Sequence, residues 1–146
     1  MRFFTTSTFR ECLSNLTKKA KDGYLTVTDD ICKALQSMPD TILRETNDRI
    51  LQTEEFRIVK LRLPNSGQHL SKPNGFRLIY FVSQLNDVVV LLRVYPKRGP
   101  QGVVDLVNTE YQRLLEEMMK ESLACSLHEV DILNAFKESN TDSNIF

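Results

Sequence analysis

The stretch GFRLIYFVSQLNDVVVLLRVYPKR, Gly75 to Arg98, decides how the rest of the chain is read. Two runs rich in β-branched and aromatic residues flank Leu85-Asn86-Asp87, which reads as the turn of a β-hairpin, and Pro96 stops the second run. Upstream, Phe56, Ile58, Val59, Leu61 and Leu63 alternate with Arg57, Lys60 and Arg62, so Glu55 to Leu63 reads as a third strand with Lys60 and Arg62 on one face. The polar segment 64–74 is the loop between them, and the three strands together form an antiparallel meander.

Working outward, Arg2 to Thr5 reads as a short strand. Phe9, Leu13, Leu16 and Ala20 recur at helical spacing behind a Ser7 or Thr8 cap, with Lys18, Lys19 and Lys21 near the helix end. Thr28, Asp29 and Asp30 open a second helix over Ile31, Ala34, Leu35 and Met38, ended by Pro39, and the two pair as a helical hairpin. Residues 40–54 are mostly polar, with a helical turn around Ile42 and Leu43 or irregular chain as the options. Beyond the sheet, Val104, Val107, Tyr111, Leu114, Leu115 and Met118 give a helical stripe, Leu127 to Phe136 a shorter helix, and 137–146 a frayed tail. The order of elements makes an α+β fold, an N-terminal helical hairpin packed on a small antiparallel sheet with C-terminal helices.

The chain has 146 residues and 41% hydrophobic content, enough for one domain with an ordinary core. Its longest apolar run, Val88 to Leu92, is far short of the roughly 20 residues that cross a bilayer, and MRFFTTSTF lacks the apolar block of a secretory signal. The expected location is the cytoplasm. Cys12, Cys32 and Cys125 are odd in number and far apart, which favours reduced packing residues over disulfides or a zinc site. His69 and His128 have no partner at ligand spacing, so no metal and no cofactor are expected, and phosphate-loop, dinucleotide and serine-hydrolase motifs are absent.

The formal net charge of zero conceals an asymmetry. Residues 1–104 hold 16 Lys and Arg against 10 Asp and Glu, and residues 105–146 hold 3 against 9. Between Arg57 and Arg98 there are 8 basic residues and a single acid, Asp87, on the segment with the strongest strand signal. A sheet so charged attracts polyanions; the plainer alternative is a solvated polar face. Cations alone can stabilise the phosphorane formed when a ribose 2′-OH attacks its neighbouring phosphate, with an Arg fork matching two phosphate oxygens.

Three pieces in order carry a resemblance: Lys60-Leu61-Arg62 on a strand, Gly75-Phe76-Arg77-Leu78-Ile79-Tyr80 after a loop, and an apolar strand ending Val94-Tyr95-Pro96-Lys97. From about Phe56 to Leu106 the chain resembles the RelE/HigB-type toxins of bacterial toxin-antitoxin systems. The resemblance implies a RelE-like domain over 1–122, with 123–146 as a helical extension and frayed tail of the same domain. It also implies a metal-independent, ribosome-dependent mRNA endonuclease that inhibits translation and is held inactive by a cognate antitoxin. Carried over by position, Arg77 is implied to contact the scissile phosphate, Lys60 and Arg62 to supply base or charge stabilisation, and Lys97 and Arg98 to lie near the leaving oxygen. Arg57, Lys72, Arg93 and Tyr95 are expected to bind substrate. Relatives with a Tyr or His beyond the basic pair differ from this chain, which reads Gly-Pro-Gln-Gly-Val-Val there, leaving Tyr95 as the nearby aromatic. A ParE-like gyrase inhibitor and a non-catalytic RNA- or protein-binding module are the alternatives on the same fold.

Overall fold

The computed structural model describes residues 1–39, 49–83 and 85–138, without the side chains of 49–52. The expectation for 40–48, including the turn around Ile42 and Leu43, and that for a tail over 139–146 lie outside the described residues. The fold is α+β, with three α-helices on a mixed sheet among the described residues. Six strands have four residues or more: β1 (Arg2–Thr5), β2 (Arg49–Gln52), β3 (Phe56–Leu63), β4 (Phe76–Ser83), β5 (Val88–Pro96) and β6 (His128–Asp131). A two-residue edge, β7 (Lys137–Glu138), completes the order β2-β3-β4-β5-β1-β6-β7. The helices are α1 (Ser7–Thr17), α2 (Val27–Ser37) and α3 (Asn108–Leu123).

The meander β3-β4-β5 is antiparallel throughout, but the whole sheet is not. β1 runs parallel to β5, with Phe3 opposite Val89 and Phe4 opposite Val90. The intervening helices and meander supply the long crossover that parallel pairing requires. Thr6, and not Ser7 or Thr8, caps α1 by accepting from the Phe9 amide at 3.2 Å. The Ala20 end of the expected first helix is a separate 3-10 turn, Ala20–Asp22.

Both faces of the central strands are covered. One buries Phe9, Leu16, Val27, Ile31 and Leu35 of the N-terminal helices against Val59, Leu63, Leu78, Tyr80 and Leu91. The other buries Tyr111, Leu114 and Met118 of α3 against Ile58, Ile79, Phe81, Val90 and Leu92. Every residue of β4 is buried as a result, so FRLIYFVS has no polar face.

The C-terminal third departs most from the sequence expectation, because among its described residues α3 is the single α-helix and starts at Asn108, four residues late. Residues 103–107 are an extended strap. Leu127 to Phe136 is not a helix. Cys125, at φ 54°, ends the turn after α3, and His128 to Val130 then pairs antiparallel with Thr5 to Phe3. Val130 thereby enters the core beside the N-terminal helices while Leu127 enters the core beneath α3, an arrangement of opposite faces that helical spacing does not give. The Asp131 carboxylate accepts from the Leu133 amide and ends the strand in a 3-10 turn, Ile132–Asn134. Lys137 and Glu138, expected in the tail, pair with Asp131 and Val130.

Gly75 is fixed by close approach: a Cβ there would lie 2.0 Å from the Leu63 carbonyl oxygen and 2.8 Å from the Asn65 nitrogen. These are backbone atoms that cannot swing aside. Gly75→Ala is therefore expected to lower unfolding stability by about 3 kcal/mol or more, read by urea titration, and a change under about 0.5 kcal/mol would show that the β3–β4 connection yields freely.

Candidate phosphate-binding face

Pairing register decides which cations meet. On β3 and β4, Arg62 stands opposite Arg77 and Lys60 opposite Ile79, so all four share the face beneath α3. On β5 simple alternation would send Arg93 to the other face. The register shifts instead between Ile79 and Tyr80, with Ile79 opposite Arg93 and Tyr80 opposite Leu91, which leaves Leu92 as a bulge. Leu92 and Arg93 then point the same way, and Arg77 faces Tyr95. Two ranks cross the three strands as a result, Arg62-Arg77-Tyr95 and Lys60-Ile79-Arg93. The Thr6 hydroxyl lies 3.5 and 3.4 Å from the Leu91 and Leu92 carbonyl oxygens, so the residue that caps α1 also holds the bulge.

Arg62 and Arg77 are like charges directly across a strand pair, an unfavourable placement unless one charge is drawn aside. Arg77 is drawn aside. Arg77 is 6% exposed, and its guanidinium donates to the carbonyl oxygens of Lys72 at 2.8 Å, Phe76 at 3.1 Å and Pro73 at 3.0 Å. It fastens the 3-10 turn Lys72–Asn74 to the start of β4. This geometry gives Arg77 a positioning role in the conformation seen, where the resemblance implied phosphate contact. Arg62 is exposed.

The strap 103–107 passes over the remaining cations. Lys60 Nζ lies 3.7 Å from Asp105 Oδ1, Arg93 donates to Glu110 at 3.0 Å, and Lys97 Nζ donates to the Val104 carbonyl at 2.5 Å. Leu106 is buried and pins the strap, whereas Asp105 and Val104 are open to solvent. At its start, Gly99 takes φ +88° and sits against Tyr24, whose hydroxyl donates to the Arg98 carbonyl at 2.8 Å and accepts from the Gln101 amide at 3.1 Å. Partly exposed ion pairs of this kind contribute about 0–1 kcal/mol each, less than several phosphates would gain on the same cations.

Tyr95 lies against Arg93, whose guanidinium carbon is 5.7 Å from the ring centre. Burial, helped by Tyr111 and Asp105 and opposed by Arg77 and Arg93, pushes its phenol up to about 12. At neutral pH Tyr95 is a proton donor and not a base. Tyr111 is raised too, mainly by burial, and its buried hydroxyl has no hydrogen-bond partner among the described residues.

The other expected residues stand apart. Arg57, opposite Val82, is on the face of the N-terminal helices. Arg98 turns away from the strap and donates to Asn74 Oδ1 at 3.0 Å. Lys72 lies outside the ranks and lines a cleft with Arg62. Asp105 and Glu110, the first acids after the basic strands, are the partners of Lys60 and Arg93.

Cys32 is buried, and burial raises its thiol to about 11; Cys12 is also raised by burial, and Cys125 is exposed. Among the described residues no three His, Cys, Asp or Glu side chains cluster as metal ligands, and no helix is long and apolar enough to cross a membrane. Set against models of known protein families, curated proteins and solved structures, the chain matches none of them.

Arg77→Met should lower stability by about 2–3 kcal/mol in urea, since the buried Phe76 carbonyl and the part-buried Lys72 and Pro73 bonds lose a charged donor, while exposed Arg62→Met should change it by less than about 0.5 kcal/mol. Equal, small effects would contradict the positioning role. Tyr95 should ionise about 2 units above an ordinary phenol, so a Tyr95→Phe difference in near-ultraviolet tyrosinate absorbance should be absent at pH 10 and emerge towards pH 12. The raised value makes its stability contribution complete below pH 10 and lost as pH rises towards 12. Ionisation at pH 10 would place Tyr95 in water.

Proposed function

We propose that the chain is a RelE/HigB-type toxin, a metal-independent endoribonuclease that cuts mRNA at the ribosome and is restrained by a cognate antitoxin protein. The observation that carries this reading is the common face of Lys60, Arg62 and Arg93, with Tyr95 among them and Lys97 directly after β5, bonded to the strap. Lys60, Arg62 and Arg93 lie on neighbouring strands of one sheet, where placement is more exact than on loops. Such a face offers an RNA backbone several cations without a metal.

In this proposal the 2′-oxygen of one nucleotide attacks the adjacent phosphorus while the P–O5′ bond breaks, leaving a 2′,3′-cyclic phosphate and a 5′-hydroxyl. Lys60, Arg62 and Arg93 bear on the phosphate oxygens, whose charge grows in the phosphorane. Lys97, as the free amine, takes the 2′-OH proton, the Tyr95 phenol gives its proton to O5′, and proton return from the Lys97 ammonium through solvent restores the phenol. Arg77 keeps the Lys72–Asn74 turn and the start of β4 in place. For an RNA backbone to reach Lys60 the strap must shift Asp105 aside, and to reach Arg93 it must displace the Glu110 carboxylate on α3.

That occupation also favours a second reading, a binding module without catalysis in which the cations only grip phosphates and the strap tunes affinity. Induced expression with mapped 5′ ends of transcripts separates the two. The nuclease predicts growth arrest and new 5′ ends, both lost in Lys60→Ala/Arg62→Ala, whose folding should be intact. RNA binding with unbroken transcripts would favour the module, and altered plasmid supercoiling with intact transcripts would favour a gyrase inhibitor.

For either RNA reading, Asp105→Asn with Glu110→Gln should tighten binding of single-stranded RNA about threefold to tenfold at low salt, measured by fluorescence anisotropy. Unchanged or weaker binding would remove the strap from the RNA site.

A further inference from the structure

A cleft of about 370 Å³ lies beside the outer edge of β3, outside the ranks just described. β2 pairs with β3 only as far as Val59, and among the described residues no strand pairs with Lys60 to Leu63 on that edge. α2 supplies one wall with Lys33, Ala34, Ser37 and Met38, and β3 and its following loop supply the other with Leu61, Arg62, Pro64 and Lys72. Three cations, Lys33, Arg62 and Lys72, therefore come from three separate segments to one opening. The lining between them is apolar, with Ala34, Met38 and Leu61 partly buried against the core.

One acid also faces the cleft. Asp30 is 4% exposed, and its Oδ2 accepts from Thr26 Oγ1 at 2.9 Å and from the Ser66 amide at 3.1 Å. Its charge is held by hydrogen bonds that shape the loop wall, and the cations outnumber it three to one. An apolar surface the size of a base, bordered by cations, suits a nucleotide: the base covers the apolar wall and the phosphate meets the charges. A phosphate alone would gain nothing from the apolar wall, and an apolar ligand nothing from the cations.

We infer that this cleft takes one nucleotide of a single-stranded RNA whose backbone continues past Arg62 onto the basic face. The inference rests on the RNA reading of the basic face and adds Lys33, on α2, to the residues that contact RNA. Arg62 is the hinge between the two places, because it belongs to the Arg62-Arg77-Tyr95 rank and also lines the cleft. The bound strand thus runs across the edge of β3, with Lys72 opposite Lys33.

Single-stranded RNA carrying 4-thiouridine, photocrosslinked to the full chain and mapped by peptide mass spectrometry, tests the placement. Crosslinks are expected in segments 33–38 and 61–72. Lys33→Ala should weaken RNA binding about threefold to tenfold and lower the salt dependence by about one ion. Ser37→Trp, at an exposed position on the wall, should block the cleft and remove those crosslinks. RNA that binds with crosslinks only around Arg93 to Lys97, and with parental affinity for both variants, would overturn the cleft and leave the basic face standing. Crosslinks in the cleft without any RNA cleavage would support the cleft and count against the nuclease. A chain that binds no RNA at low salt would overturn both.

Discussion

The bulge at Leu92 is the constraint on which the candidate site depends. Without it, Arg93 and Tyr95 would follow the alternation of Val89 and Leu91 into the core beside α1 and α2, where a guanidinium would face Phe9 and Leu16. With it, both residues turn to the face that already holds Lys60, Arg62 and Arg77. The bulge is in turn held from the first strand, since Thr6 leaves β1 with its amide 3.3 Å from the Leu91 oxygen and its hydroxyl near the carbonyls of Leu91 and Leu92. The parallel pairing of β1 with β5 is thus tied directly to the arrangement of charge.

Packing and charge compete along β4 and β5. These strands are covered on both faces, so a cation there needs acceptors or an opening to water. Arg77 meets the requirement with backbone carbonyls, Arg93 with Glu110 and the face of Tyr95, and Lys97 with the Val104 carbonyl. The strap is therefore part of what makes a basic sheet compatible with a buried one. Leu106 is its buried anchor, and its charged contact with Lys60 is partly exposed. Asp105 on the strap and Glu110 on α3 are the acids that meet these cations.

Alternation on β3 placed Lys60 and Arg62 on one face from sequence alone, and the structure has them there. The strands of the hairpin and the two N-terminal helices were equally legible, since Gly75, Asp87, Pro96 and Pro39 punctuate them. The phase of β5 was not, because Val88 to Leu92 is apolar at every position and offers no alternation from which a one-residue shift could be read. Leu127 to Phe136 failed as a helix because its pairing partner, β1, lies more than a hundred residues away. The fate of Arg77 was hidden for the same reason: which carbonyls a turn presents depends on how the Lys72–Asn74 backbone folds, not on residue type.

The register across β4 and β5 is open to direct observation by nuclear Overhauser contacts between backbone protons of facing residues. The bulged arrangement requires contacts pairing Arg77 with Tyr95 and Ile79 with Arg93. Contacts pairing Arg77 with Val94 and Ile79 with Leu92 would mean an unbulged strand, would send Arg93 and Tyr95 to the opposite face, and would leave no shared surface for a phosphate.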